Sequence, residues 1–418
     1  MTIFLSLALV LLALAGAPLF LVIAAAALVS FYVLGVDLSI VIIEMYRLAA
    51  NPMLSALLLF AFAGYLLAES GASKRLVRLS TAVFGNMPGG LAVVSLFVCA
   101  GFTALTGASG ITIVALGGIL LPALLADDYS ERFSLGLLTS SGSLGVLFPP
   151  SLPLIIYGLV TETSIPDLFL AGILPGLFVL FLLSAYSMYR GGHSRRNDGL
   201  SFRELAGAVR EAFWEMLLPV VVLGGIFGGF LVLSEAAAIT VFYVLVVEMV
   251  IHREIGFKDM PGIIMKTVVM VGGIIVILGA SLAFNSFLID QQVPNRILDV
   301  MQTHVQSKIL FLIILNVFLL IVGCMLDVFS ALVIVVPLIV PLASSYGVNL
   351  LHLGIIFLTN LQIGYSTPPI GMNLFIASLR FERSILDLSL AALPFLAILL
   401  LSLAVITFFP PLTLFLVR

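Results

Sequence analysis

Ten stretches of the chain are apolar almost without interruption: about 2–16, 18–36, 53–70, 133–160, 173–189, 216–233, 236–250, 267–288, 354–380 and 388–408. Their apolar positions neither alternate nor keep to one helical face, which is the pattern of helices surrounded by lipid or protein on every side. Each is read as a membrane crossing. The shortest, 2–16, is separated from the next by Gly16–Pro18 and has no positively charged segment before it, so it reads as a retained helix rather than a signal peptide. Two further stretches, 90–121 and 309–341, do not fit this scheme. They are too long for one span of roughly 20 residues and too short for two spans and a loop. Small or polar residues sit at their centres: Thr103, Thr106, Gly107, Ser109 and Gly110 in one, Gly323, Cys324 and Asp327 in the other. Each is predicted to be a re-entrant hairpin, entering and leaving on the same side.

Composition narrows the class further. Of the 418 residues 62% are apolar and 9% charged, against roughly 25% charged in ordinary soluble domains. A soluble globular protein, a disordered chain and a nucleic-acid binder are excluded. Continuous apolar runs also exclude an outer-membrane barrel, whose strands alternate apolar and polar residues. Cys99 and Cys324 both lie in apolar runs and read as buried thiols, and the four His have no ligand spacing. The distribution of positive charge tests the topology. With the N-terminus outside and both hairpins re-entrant, 14 of the 18 Lys and Arg residues fall inside and four outside. Both termini are then placed outside.

A shift of 219 residues superposes the two halves. Pro122 falls on Pro341, Gly145 on Gly364, Pro149 on Pro368, Pro150 on Pro369 and Pro175 on Pro394, with no gap. The hairpin centres align as well. The expected fold is an all-α polytopic membrane protein of two repeats, 1–189 and 216–418, joined by an inner linker at 190–215. Residues 203–213 of that linker are predicted to lie on the inner surface as a short amphipathic helix. Each repeat has five crossings and one hairpin. Five is odd, so the second repeat is inverted. Inverted repeats with broken helices at the midplane are characteristic of secondary transporters. A duplication serving only as scaffold is the alternative, but the residues kept best are helix breakers rather than apolar faces.

The candidate chemistry lies at those breakers. Phe148-Pro-Pro-Ser151 and Thr367-Pro-Pro-Ile370 each interrupt a long apolar segment. Consecutive prolines remove backbone donors and bias the preceding residue away from helix, so both segments must unwind. From Pro369 to Arg380 is 11 residues, about 16 Å of helix, which puts the break near the midplane. Unwound backbone there needs a cavity or a ligand. Its carbonyls, with Ser and Thr hydroxyls, are hard neutral oxygen donors suited to Na⁺. Half-helix N-termini bring partial positive charge that favours a carboxylate or sulfonate.

Two cation sites are expected, each joining a hairpin tip to a break. One uses Thr106, Gly107 and Ser109 with Gly145, Phe148 and Pro150; the other uses Cys324 and Asp327 with Gly364, Ser366, Thr367 and Pro368. Asp327 is the one acid at membrane depth. Cation coordination is its preferred role, ahead of proton carriage and helix capping. Its counterpart is Ala108, so the two sites are not equivalent. Ser141, Ser143, Asn360, Gln362 and Asn373 are candidates either for substrate binding or for interhelical hydrogen bonding. Arg380 reads as an interfacial anchor before a substrate clamp. Glu69, Asp127, Asp128, Glu131 and Arg132 read as solvated loop charge.

These residues resemble the large membrane subunit, the DctM type, of tripartite ATP-independent periplasmic (TRAP) transporters. The resemblance covers nearly the whole chain. Its most specific stretches are Gly117-Gly-Ile-Leu-Leu-Pro122, Gly145-Val-Leu-Phe-Pro-Pro-Ser-Leu-Pro-Leu-Ile-Ile-Tyr-Gly158, Phe169-Leu-Ala-Gly-Ile-Leu-Pro-Gly176 and Gly364-Tyr-Ser-Thr-Pro-Pro-Ile-Gly-Met-Asn-Leu-Phe375. It implies an ion-transporter-superfamily fold with a scaffold and a moving transport domain, working by an elevator motion. It also implies Na⁺-driven uptake of a small organic acid anion across the bacterial inner membrane. Two protein partners are implied: a small four-helix membrane subunit and a periplasmic substrate-binding protein. The family pattern at the first hairpin tip is Ser-Gly-Ser, whereas this chain has Thr106-Gly-Ala-Ser109, so the hydroxyls are kept but shifted. A stand-alone sodium–carboxylate symporter of the same superfamily is the nearest alternative. A membrane-embedded lipid-linked transferase would need clustered acids or histidines near the breaks, and there are none.

Overall fold

The computed structural model describes residues 12, 17, 19–84, 87, 89–190, 202–369 and 371–417, which are helical and without strands. The predicted crossing at 2–16, and residues 191–201 of the linker, lie outside them. Eight helices among the described residues are long and apolar enough to cross a bilayer, and a bent pair, Glu131–Leu147 with Leu152–Thr161, meeting at 45°, makes a ninth span.

Both long stretches with polar centres are helix–turn–helix hairpins. The first comprises Gly90–Thr106 and Ser109–Ala126, the second Lys308–Met325 and Val328–Ser345. In the first, Gly107 ends one arm with φ +71°, a left-handed turn open to glycine at little cost. In the second, Asp327 starts the return arm as its N-cap. Both breaks contain a cis peptide bond, Pro149–Pro150 and Pro368–Pro369. The first broken span is Glu131–Ser141, a short 3-10 turn Leu144–Leu147 and Leu152–Thr161; the second is Leu350–Gly364 and Met372–Phe381.

The 219-residue shift carries over to the elements. It takes the start and end of the arm Ser109–Ala126 onto Val328–Ser345 and the start of Glu131–Ser141 onto Leu350–Gly364. Ser130 and Asn349, one residue before those starts and also 219 apart, cap them through side-chain oxygens that accept backbone N–H groups. Contacts between elements recur in the same way. The return arm of each hairpin packs on the helix after the break of the other half, Ser109–Ala126 on Met372–Phe381 and Val328–Ser345 on Leu152–Thr161. Likewise Ile165–Arg190 packs on Leu350–Gly364, and Ile385–Phe408 packs on Glu131–Ser141.

In lipid there is no hydrophobic drive to bring helices together, so close approach of backbones and interhelical hydrogen bonds hold the bundle. Gly64 lies against the backbone of Leu105 and Thr106, Gly136 against the carbonyl of Ala391, and Gly172 against the carbonyl of Leu147. Tyr157, fully buried, donates its hydroxyl to the carbonyl of Leu350 at 2.7 Å, joining the two broken spans. One continuous cluster of buried side chains runs through both halves.

Three regions taken as connections are helices: Ser39–Ala49, Ala72–Phe84 and Val293–His304. The last two are amphipathic, and their charged residues mimic loop composition. The short amphipathic helix expected at 203–213 is present as Phe202–Glu211 and packs on Ala72–Phe84, with an ion pair between Arg78 and Glu211.

Candidate functional site

Each hairpin tip is docked on the break of its own half. Gly145 faces the backbone of the first hairpin's outgoing arm: an added Cβ would lie 2.3 Å from the Ala100 oxygen and 2.4 Å from the Ala104 nitrogen. Gly364 faces the second hairpin in the same manner, 2.3 Å from the Gly323 carbonyl carbon. The 219-residue match of these two glycines therefore has a steric cause. A side chain at either would push the tip off the break.

Hydrogen bonds complete the docking. In the first half the buried Thr103 hydroxyl donates to the Gly142 carbonyl at 2.7 Å and lies 2.6 Å from the Thr112 hydroxyl. One side chain thus ties both hairpin arms to the break. In the second half the Tyr365 hydroxyl accepts from the backbone N–H of Val328. The Gly371 N–H donates to the Cys324 carbonyl at 3.2 Å, and Asn373 N–H donates to Tyr365 O at 2.9 Å. Thr103, Thr112 and Tyr365 were not among the expected ligands. A threonine or tyrosine in an apolar run carries no spacing signal of its own.

Among the residues expected at the first cation site, Gly107 and Ser109 border an open cavity. Thr106 is buried and its hydroxyl donates to the carbonyl of Phe102 one turn back. The Phe148 ring lies against Gly176, on the side facing Ile165–Arg190, so only its backbone is available to the break. Among those expected at the second site, Thr367 donates back to Ile363 O at 2.9 Å and the Ser366 hydroxyl points to Thr139 O at 3.5 Å. Cys324 is a buried free thiol, as is Cys99. Asp327 is half-buried and caps the return arm: Oδ2 accepts from the N–H groups of Phe329 and Ser330, and Oδ1 accepts from the Ser330 hydroxyl. The role placed third in the sequence reading is thus occupied. The carboxylate still borders the cavity.

That cavity has a volume of about 1020 Å³. Residues 107–111 of the first tip and 327–329 of the second both line it, together with Tyr65, Tyr365 and part of Met372–Phe381. Its charged side chains are Glu69, Lys266, Asp327 and Arg380. Glu69 is not free loop charge, because Lys266 bonds it at 2.5 Å. Glu69 also borders two smaller clefts, one with Lys74 and Arg75 and the other with Lys258 and Lys266, in which acidic side chains stand beside the basic ones. The return arm Ser109–Ala126 begins without a side-chain cap, in contrast with the Asp327-capped arm. Ser109, Gly110 and Ile111 at its start line the cavity, a position suited to an anion.

The five expected substrate residues lie elsewhere. Ser141, Ser143, Asn360, Gln362 and Asn373 are all buried and none borders the cavity. Ser143 and Asn373 join the two broken spans, the Ser143 hydroxyl donating to Gln362 O at 3.3 Å and the Asn373 amide to Thr139 O at 3.2 Å, while the Ser141 hydroxyl donates to Leu138 O within its own helix. Asn360 instead donates to Asn316 Oδ1 at 2.7 Å. Among the described residues no group of three His, Cys, Asp or Glu side chains is arranged to hold a metal ion. Neutral oxygens and one carboxylate are what remain for a cation.

Comparison with known proteins places this geometry. The family model of the tripartite ATP-independent periplasmic transporter, DctM component, matches residues 5–412. The ectoine/5-hydroxyectoine TRAP transporter large permease protein of Ruegeria pomeroyi is 33% identical over 99% of this chain and 98% of its own. The C4-dicarboxylate TRAP transporter large permease protein of Pseudomonas aeruginosa is 31% identical over 89% of this chain and 88% of its own. The isethionate TRAP transporter permease protein DctMQ of Oleidesulfovibrio alaskensis is 35% identical over 85% of this chain, which spans 56% of that relative's length. Among solved structures, the YdaH transporter of Alcanivorax borkumensis matches with a TM-score of 0.59 at 16% identity, over 88% of this chain and 86% of that one. That likeness is one of fold.

Proposed function

The chain belongs to the DctM component family of the tripartite ATP-independent periplasmic transporters, and from that premise we propose that it is the subunit that carries a small organic acid anion across the bacterial inner membrane, driven by Na⁺. It is a secondary transporter component and not an enzyme. The observation that carries the reading is the single cavity bordered by both hairpin tips. Two docked tip–break units meet one chamber, and an ion that tightens either unit alters the chamber floor.

Na⁺ is the coupling ion in this reading. Carbonyls of the unwound breaks and the Ser109 and Asp327 side chains supply hard oxygen ligands, with no thiolate or imidazole required. Asp327 serves as both cap and cation ligand. The substrate's carboxylate or sulfonate takes the uncapped N-terminus of Ser109–Ala126 at the cavity floor. The halves 1–189 and 216–418 are related as inverted repeats, which accounts for the reciprocal packing of each return arm on the other half. Both termini lie in the periplasm. The end of the cavity at Glu69 and Lys266 is then the inner one, because Lys266 and the nearby Lys74, Arg75 and Lys258 are among the 14 of 18 Lys and Arg residues that the topology places on that side. The conformation is inward-facing. The hairpins and broken spans form the moving body, and Pro52–Glu69 with Met260–Asp290 belong to the scaffold on the far side of the cavity. A small membrane subunit and a periplasmic binding protein complete the system.

The test is uptake into proteoliposomes under an inward sodium gradient, with labelled isethionate, succinate and ectoine offered to the chain alone and to the chain with both partners. Sodium-dependent uptake only in the complete set is expected. Uptake by the chain alone would replace the tripartite reading with the stand-alone symporter. Uptake indifferent to sodium would remove the coupling ion.

A further inference from the structure

The Gly117-Gly118 pair belongs to one of the chain's most family-specific stretches, yet nothing in the tip–break docking uses it. Its structural counterpart is on the helix leaving the second break. An added Cβ on Gly118 would lie 1.7 Å from an Arg380 Nη atom and 2.8 Å from its Cζ, and one on Gly117 would lie 2.8 Å from the Phe381 ring. The paired glycines form a bare strip of the hairpin arm on which the Arg380 guanidinium is laid. An interfacial anchor would instead extend along the helix axis toward water. Arg380 borders the cavity, is exposed, and makes no hydrogen bond or ion pair among the described residues. The other cavity cation, Lys266, is already paired with Glu69, and Asp327 is held as a cap.

We propose that Arg380, seated on Gly117 and Gly118, is an anion-binding station for the substrate's carboxylate or sulfonate at the inner mouth of the cavity, distinct from the floor at Ser109. This rests on the transport reading above. Ser109 and Gly118 are nine residues apart on one helix, about 14 Å at a rise of about 1.5 Å per residue. That is too far for one short acid to hold both points with one charged group. The station therefore acts in sequence with the floor: an anion leaving the helix N-terminus meets a guanidinium whose planar fork matches a carboxylate or sulfonate and which has no competing partner. The counterpart of Arg380 at the 219-residue shift is Thr161, so the station exists in one half only. It favours the inner side of the transport cycle.

Two measurements test it. In the purified full chain, the rate at which p-hydroxyphenylglyoxal modifies Arg380 is followed by peptide mass spectrometry. Sodium succinate and sodium isethionate are expected to slow it at least threefold relative to sodium chloride, leaving the exposed Arg296 unaffected. Gly118→Ala, which keeps the charge but displaces the guanidinium, is expected to remove the protection. Equal rates in all three salts would overturn the station. In membrane vesicles, Arg380→Gln is expected to raise the KM for substrate at the inner face at least fivefold with little change at the outer face, and Arg380→Lys to recover only part of the loss. An unchanged KM on both faces would also overturn it. Protection at Arg380 without sodium-driven uptake of any anion by the complete set of native chain and both partners would mean that the transport reading fails while the anion station stands.

Discussion

Gly145 and Gly364 show how one missing side chain positions a functional unit. Each sits where a hairpin backbone passes within van der Waals contact, so Gly→Ala at either must move the hairpin tip. Overpacking of this kind costs about 1–3 kcal/mol. Thermal unfolding of Gly145→Ala and Gly364→Ala is expected to show that loss, with sodium-dependent uptake falling in both. Unaltered uptake would mean that the tips need not be docked for transport. Asp327 separates two roles that share a carboxylate. Asp327→Ala loses the cap and is expected to cost about 1 kcal/mol. Asp327→Asn retains a capping oxygen and is expected to unfold at nearly the native temperature. Both variants are expected to lose the sodium response of uptake; a normal response in Asp327→Asn would detach the second cation site from this residue. The glycines and prolines of the site were visible in the sequence because conformational demands act on residue type. The partnerships of Thr103 with Gly142 and of Tyr365 with Val328 were not, because they depend on how two segments cross. Arg380 was read as an anchor from its depth alone, and only the glycine strip opposite shows where its side chain goes.

At the scale of elements, each of the two long apolar stretches with polar centres folds as two helices joined by a short turn. The helix boundaries extend a few residues beyond the apolar runs, to Ala126 and Ser345. The amphipathic helices Ala72–Phe84 and Val293–His304 were missed because half their residues face a polar surface. One of them carries a clasp. Arg75 on Ala72–Phe84 reaches three carboxylates, Glu215 at 2.5 Å, Glu248 at 2.8 Å and Glu254 at 2.7 Å, and Glu254 also accepts from Gly71 N–H. The cluster ties the segment after Pro52–Glu69 to the region 213–259. Removing the guanidinium leaves buried acids facing one another, which typically costs about 3–5 kcal/mol. Arg75→Ala is expected to lower the unfolding temperature sharply, and a neutral result would show that the acids find other partners. Burial opposes the charge on Glu254, but the Arg75 guanidinium and the Gly71 amide outweigh it and hold its carboxyl below the usual carboxylate range. Its contribution is therefore present at neutral pH and lost as pH falls through that lowered value. Glu254→Gln is expected to flatten the acid side of a stability-against-pH profile measured by thermal unfolding. An unchanged acid limb would place the sensitivity elsewhere.

At the scale of the whole molecule, the 219-residue repeat links sequence to transport. The same shift that aligns proline with proline aligns hairpin arm with hairpin arm and cap with cap. The cavity was less legible. Its walls come from both tips, Pro52–Glu69, Met260–Asp290 and the helix after the second break. No periodicity in one segment reports on the others. Ser143 and Asn373, near the breaks, join the broken spans to each other rather than line the cavity. If the chamber is the transport path, its lining must be open to one side of the membrane at a time. Val114 lines it, is 49% exposed, and stands between Ser109 and Gly118 on the same helix with no role assigned to its own side chain. The most direct measurement is the reactivity of Val114→Cys, in a chain carrying Cys99→Ala and Cys324→Ala, toward a membrane-impermeant maleimide. It is made from the inner face in inverted vesicles and from the outer face in spheroplasts. Labelling from the inner face alone in the resting protein, shifting toward the outer face when sodium and a transported anion are supplied with the partner proteins, is the expected result. Labelling from the outer face alone, or equally from both faces in every condition, would contradict an alternating chamber between the two tips.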